Sequence, residues 1–316
     1  MAPRVDILMP TYKPRTEHLL AAIESVRAQT ETDWILTICD EPTDVDTATM
    51  LQSITDDRIR YMRNERRLGI GGNWNRCLTQ VTAPYVQYLF QDDLLEPQYL
   101  ATALAAMESD ERIGMVSMGH RYVFEGESVA RDAYEEVEKA RAEVAAGYHD
   151  GTETLLAWME RGLHPNVVGE PSFVLLRKST MHVVGAFRED MQQNLDSEYW
   201  ARMFIQAGWY VVPGNFGSFR VHADAASARN FERGAGVFDR LRTLHAISRI
   251  LPTEHQKKAQ RIIGEQTTRM TEKFLLRYGG VRLELSDRVP ILFSLALHPI
   301  TVLRSLWRYT RSRNRE

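Results

Sequence analysis

Asp92 and Asp93 stand directly after the strand-length run Tyr85 to Phe90, which is entered through Pro84. Two adjacent carboxylates at the end of an apolar strand are costly to leave unpaired. A site supplying one or two carboxylate oxygens suits Mg²⁺ or Mn²⁺ shared with phosphate oxygens. The pattern therefore predicts a divalent ion and a nucleoside diphosphate; the plain alternative is that both aspartates cap the next helix. Ligands of open parallel sheets bind at the carboxyl ends of strands. Two further strand ends carry polar groups: Pro10-Thr11-Tyr12 after Val5 to Met9, and Asp40 after Trp34 to Cys39. Tyr12 could stack on a base, and Asp40 could accept hydrogen bonds from a base or ribose. The cluster Gly69, Gly71, Gly72 lacks the dinucleotide-binding register, because Trp74 occupies the third glycine's place, and no GxxxxGK[ST] loop exists. Gly69 to Asn75 is read as a tight turn into a helix with Asn73 and Asn75 toward a ligand, or as a structural turn alone.

These residues need elements to position them. Strand-length apolar runs alternate with helical patterns through the first two thirds, the signature of an α/β fold with a mostly parallel sheet flanked by helices. Strands are expected at Val5 to Met9 (stopped by Pro10), Trp34 to Cys39, Ile59 to Met62, Tyr85 to Phe90, Phe173 to Leu176, Tyr210 to Val212 and Phe219 to Val221. Helices are expected over Asp132 to Gly147 and Thr152 to Arg161, the latter capped by Asp150 or Thr152. After Arg233 the strands stop, and helices are predicted over 234–250 and 253–278. The charge changes there too: residues 233–316 carry 17 basic against 7 acidic residues, whereas the preceding 232 are net negative by 13. A boundary follows between a catalytic domain, 1–232, and a basic helical C-terminal region, 233–316. The acidic body argues against nucleic acid as a partner. Cys39 and Cys77 form no disulfide framework, and the run before Pro10 is too short for a signal peptide, so a cytoplasmic location is expected.

The ordered set PTY at 10–12, Asp40, GNWN at 72–75, YLFQDDLLEP at 88–97, Gly169-Glu170-Pro171-Ser172, GAF at 185–187, Asp196-Ser197-Glu198-Tyr199-Trp200 and Phe219-Arg220-Val221-His222 resembles the family 2 glycosyltransferases of the GT-A fold over residues 3 to 228. The resemblance implies that Pro10, Thr11, Tyr12, Asp40 and Asn73 hold the nucleotide. It makes Asp92 and Asp93 the acidic metal motif and Asp196 the catalytic base, and puts His222 near the diphosphate, where a neutral imidazole could complete the metal shell or a charged one balance the leaving phosphate; the plain alternative is a structural histidine at a strand end. Gly169, Glu170, Pro171, Glu198 and Trp200 become candidates for donor or acceptor contact, although helical spacing also explains Trp200 as core. Many members carry an acidic residue where Phe90 stands and another where Leu195 stands; the first departure favours Asp92 over Asp93 as the direct metal ligand. The QxxRW motif of processive members is missing. The implied activity is metal-dependent, inverting sugar transfer from a UDP- or TDP-type donor to a glycan or lipid-linked acceptor, in cell-surface polysaccharide assembly. A nucleotidyltransferase acting on sugar phosphates and a non-catalytic scaffold are the rival readings.

The run VPILFSLALHPITVL at 289–303, followed by Arg304, Arg308, Arg311, Arg313 and Arg315, is interrupted by Pro290 and Pro299 and is too short to span a bilayer as a helix. It is expected to lie on an anionic membrane surface, or else to pack on the catalytic domain or a second copy in a homo-oligomer.

Overall fold

The computed structural model describes residues 2–126, 131–191, 193–222 and 235–278. The 289–303 segment and the arginines after it lie outside the described residues. An eight-stranded sheet has the order β3-β2-β1-β4-β9-β6-β10-β8. Its first half is parallel: β1 (Val5–Thr11), β2 (Trp34–Asp40), β3 (Ile59–Arg63) and β4 (Tyr85–Tyr88). In its second half β9 (Val174–Arg177) runs antiparallel to both β4 and β6 (Ile113–Met118). Beyond β6, β10 (Gly208–Val212) is parallel to it, and β8 (Gly147–His149) closes the edge antiparallel to β10. A small second sheet sets β11 (Gly217–Val221) between β5 (Leu94–Leu95) and β7 (Arg121–Phe124).

Side-chain alternation along the strands divides the core between the two faces of the large sheet. Val5, Ile7 and Met9 pack with α1 (Thr16–Arg27) and α4 (Tyr99–Glu108) through Leu19, Ile23, Val26, Leu100 and Leu104. The opposite face, with Leu8, Val86 and Tyr88, is covered by α3 (Gly69–Leu78), α6 (Gly151–Glu160) and α8 (Leu195–Gln206). The remaining helices are α2 (Thr47–Met50), α5 (Arg131–Ala142), α7 (Lys178–Val184), α9 (Ala235–Ile250) and α10 (Thr253–Tyr278). Leu241, Leu244 and Ile247 of α9 and Ala259, Ile262 and Ile263 of α10 join the same core as Leu155, Trp158 and Trp200. The helical region after 234 is thus packed into the body of the protein. Among the described residues no helix is long and apolar enough to cross a membrane.

Pro10 does not end β1; it pairs in register with Cys39. Leu89 N–H donates to Leu8 O and Glu41 N–H to Thr11 O, so even-numbered residues of β1 face β4 and odd-numbered ones face β2. β4 pairs with β1 only as far as Leu8. The proline's missing N–H therefore falls where no partner strand remains. The charged helix α5 ends at Ala142, earlier than expected, and Gly147 opens β8 instead. Phe173 closes a 3₁₀ turn, Pro171–Phe173, and the strand begins one residue later. Asp150 is the cap of α6, its carboxylate accepting from Glu153 N–H.

Candidate active site

The ends of β1 and β2 are joined through Asp40. Its Oδ1 accepts from the hydroxyls of Thr11 at 2.8 Å and Thr47 at 3.2 Å, and its Oδ2 from Tyr61 at 3.0 Å. Burial, then the neighbouring Asp40 charge, pushes the Tyr61 hydroxyl up to about 12. Asp40 is fully buried among these three hydroxyl donors, behind the strand end that carries Tyr12. Asn73 is also turned inward. Its amide donates to Cys39 O at 3.1 Å and accepts from Asn64 at 2.9 Å, so it ties α3 to the strand ends instead of facing a ligand. Asn75 bonds the backbone of Phe187 in both directions. The glycine cluster serves this docking: a Cβ on Gly71 would lie 2.9 Å from the backbone of Glu189. Tyr12 is what the strand end presents outward. It is 36% exposed, the Arg67 guanidinium lies 4.6 Å from its ring centroid, and its backbone is pinned in both directions by the Gln91 amide. Arg67 and Gln91 carried no sequence signal beyond their neighbours.

The acidic pair divides its work. The next helix starts only at Tyr99, so neither aspartate is a helix cap. Asp93 is fully buried; Ser172 donates to its Oδ2 at 2.6 Å and Arg220 N–H to its Oδ1 at 3.1 Å. Burial, and then Asp92, push its carboxyl well above the ordinary range. Asp93 thus ties the acidic turn to the 169–172 loop and to β11, and of the pair it is Asp92 that stays partly exposed. One oxygen of Asp92 lies 3.0 Å from His222 Nε2. The other ring nitrogen of His222 is buried and has no partner among the described residues.

Asp196 sits in the first turn of α8. Asn166 donates to its Oδ2 at 2.8 Å and Ser197 N–H to its Oδ1 at 2.7 Å. Burial, assisted by the nearby Glu170 charge and opposed by the Ser197 N–H, pushes its carboxyl up to about 7. The segment 166–172 connects Asp196 to the acidic pair: Asn166 holds Asp196, Gly169 O accepts from the Trp200 indole at 3.0 Å, and Ser172 holds Asp93. Pro171 is buried in that connection.

Glu170 faces His120 at 2.8 Å, Arg141 at 3.6 Å and the Tyr122 hydroxyl at 3.0 Å. Burial alone would raise its carboxyl, but these partners outweigh burial and keep it an anion below the ordinary range. Burial lowers His120, against the pull of Glu170.

Two of the expected contact residues lie inside the fold. Trp200 is 0% exposed and supports Gly169 from behind. Glu198 is buried and clamped by Arg202, which donates to both its oxygens at 2.8–3.1 Å. Asn166, His120 and Arg141 were missed, since each acts through a fold contact and not through a spaced motif.

Residues 6–159 match the family model described as Glycosyl transferase family 2. Those residues, a little under half of the chain, carry the match to a glycosyltransferase family 2 domain. Relatives of the glycosyltransferase include the uncharacterized protein MT1568 of Mycobacterium tuberculosis, 26% identical over 77% of this chain and 75% of that protein. Another is the UDP-Glc:alpha-D-GlcNAc-diphosphoundecaprenol beta-1,3-glucosyltransferase WfgD of Escherichia coli, 33% identical over 28% of this chain and 35% of its own length. Among solved structures, S. aureus TarS 1-349 in complex with UDP has a TM-score of 0.64 at 13% identity, covering 90% of the glycosyltransferase and 77% of that chain. The mannosyltransferase PcManGT from Pyrobaculum calidifontis, in complex with GDP-Man and Mn²⁺, has 0.60 at 14%, covering 97% and 84%. These likenesses show the GT-A fold of the glycosyltransferase, a mixed α/β architecture around a large sheet.

Proposed function

We propose that the glycosyltransferase moves a sugar from a UDP- or TDP-type donor to an acceptor hydroxyl with inversion, using Asp196 as general base and Asp92 with His222 at a divalent ion. The observation that carries the reading is the Asp196 carboxyl, held by two donors and pushed up to about 7. A general base works best with its proton affinity near the operating pH, and such catalysis typically contributes ~10²–10⁴ in rate.

The residues present fit Mn²⁺ or Mg²⁺. Asp92 is a partly exposed carboxylate, and the neighbouring imidazole has a buried nitrogen with no partner among the described residues. Among the described residues no group of three or more acidic, histidine or cysteine side chains is arranged around a metal. One carboxylate suits an ion that completes its shell with waters and substrate phosphates. When bound, such an ion neutralises charge on the departing diphosphate. Asp196 takes the acceptor proton, Asn166 and Ser197 N–H fix the direction of its lone pairs, and Tyr12 offers an exposed ring to the base. A direct displacement with one base inverts the anomeric centre.

The name of the Escherichia coli relative, which acts on a diphosphoundecaprenol-linked sugar, supports a lipid-linked or glycan acceptor in polysaccharide assembly. The basic tail of the sequence would then hold the enzyme at an anionic surface on the cytoplasmic face. Flotation with anionic liposomes should carry the full chain but not one ended after Asp287. Loss of an oligomer on truncation would assign the tail to self-association.

The decisive test combines binding and turnover. Calorimetry should show UDP binding strengthened by Mn²⁺, with Asp92→Ala removing the enhancement. Asp196→Asn should bind UDP normally while losing at least ~10²-fold of transfer. Undiminished transfer by Asp196→Asn would remove Asp196 from the mechanism, and unchanged metal dependence in Asp92→Ala would remove Asp92.

A further inference from the structure

Two aromatic rings bridge the turn that carries Asp92 and the helix that carries Asp196. Phe90 lies just before Asp92 in the chain, and its backbone N–H donates to the Ser172 hydroxyl at 3.0 Å, the same hydroxyl that donates to Asp93. The ring of Phe90 meets that of Trp74, with centroids 5.0 Å apart and planes inclined by 32°. Trp74 meets Phe187 edge-on at 5.2 Å, and Phe187 is stacked at 3.9 Å on Tyr199, which stands one turn beyond Asp196 in α8. One turn before Trp74, α3 approaches the same helix start: a Cβ on Gly71 would lie 3.1 Å from Cδ2 of Leu195. The ring pair is thus anchored at one end to the acidic turn and at the other to the first turn of the base helix.

Burial separates this pair from the rings behind it. Tyr88, Phe187 and Tyr199 are buried, and the Tyr88 hydroxyl donates to Trp74 O at 2.9 Å. Trp74 and Phe90 stay partly exposed. A partly exposed aromatic surface inside a site suits a ligand that has an apolar face. A pyranose ring is such a ligand: its hydroxyls project mainly from its edge, and the C–H groups on its face carry a small positive charge that is drawn to the negative face of an aromatic ring. In a direct displacement the transferred sugar stands between the diphosphate and the acceptor hydroxyl, the interval that these two rings bridge.

We infer that Trp74 and Phe90 form the seat of the transferred sugar, taking the C–H face of its ring. The inference rests on the reading of Asp92 as the diphosphate end of the site and of Asp196 as the base. The seat makes no contact with the nucleoside, so it discriminates a nucleotide sugar from the bare nucleotide.

The test is calorimetry in Mn²⁺ on wild type, Trp74→Leu, Trp74→Phe and Phe90→Leu, with UDP and TDP as the sugarless ligands against UDP-glucose, UDP-GlcNAc and TDP-glucose. For a nucleotide sugar that the wild type binds, Trp74→Leu and Phe90→Leu should each raise the Kd by about threefold or more, the loss expected of one aromatic contact, while the Kd of the matching sugarless nucleotide stays the same. Trp74→Phe keeps a ring and should retain more of the nucleotide-sugar affinity than Trp74→Leu. Rings that only packed the fold would move both ligands together, and such a parallel change overturns the seat. An unchanged Kd for the nucleotide sugar in both leucine variants overturns it too. A wild type that binds UDP or TDP but none of the nucleotide sugars overturns the seat and leaves the Asp92 site intact. Failure of the wild type to bind either nucleotide overturns the reading of Asp92 and the seat with it. Should Trp74→Leu lose its cooperative melt, Phe90→Leu decides by the same comparison.

Discussion

Asp196 offers the sharpest residue-scale expectations. Its carboxyl is raised to about 7 from an ordinary value near 4, chiefly by burial. The base is protonated below that value, so kcat should rise with pH through an ascending limb near 7, measurable in a pH–rate profile. Asn166 donates to the ionised form; Asn166→Leu removes that donor and should move the limb to higher pH while leaving UDP binding unchanged. The stability sign also follows. A group whose folded value lies above its unfolded value contributes stability that is fully present below about 4 and is lost as pH rises through 7. Asp196→Asn is free of that loss, so its Tm relative to wild type should be higher at pH 8 than at pH 4. A Tm difference that does not change with pH would mean the carboxyl is not perturbed.

At the scale of elements, the base depends on contacts that no motif announces. The buried Asp239 of α9 accepts from Gln193 N–H at 2.8 Å and Asn194 N–H at 3.4 Å, immediately before the helix carrying Asp196. Asp239→Ala strands those donors at about 1–3 kcal/mol, and should lower both Tm and kcat while sparing the Kd for UDP. Gly151 opens α6 against the end of α8, where a Cβ would lie 2.1 Å from Ala207 O and 2.2 Å from Phe204 O. Gly151→Ala should therefore destabilise by about 1–3 kcal/mol in a denaturant melt. The strands that carry Thr11 and Asp40, and the one that leads toward Asp92, were legible because each is a dense apolar run followed by polar residues. β6, with two methionines, a glycine and a serine among its six residues, lacks that density and was missed. Types at strand ends were readable, but orientation was not. Nothing in the order of Asp92 and Asp93, or of Asp196 and Glu198, says which member turns inward to Ser172 or Arg202.

For the whole molecule, the charge of the sequence changes sign near residue 232, while the core runs across that point. Ile263 of α10 is fully buried with Leu155 and Trp158 of the preceding region. Ile263→Ala should cost about 2–5 kcal/mol and lower a single calorimetric transition, whereas two separate transitions would mean that the terminal helices melt by themselves. The place of β9 has a further consequence, for the order of events during synthesis. β9 lies between β4 and β6 in the sheet but follows β6 by roughly 55 residues in the chain. At ~5–20 residues per second a ribosome needs about 3–11 s to cross that interval. Meanwhile β4 and β6 each present a bare hydrogen-bonding edge, the kind of edge that invites pairing with another chain. The nascent protein is then most exposed to aggregation, and a fragment cut at residue 159, where the family match stops, would be held in that state permanently.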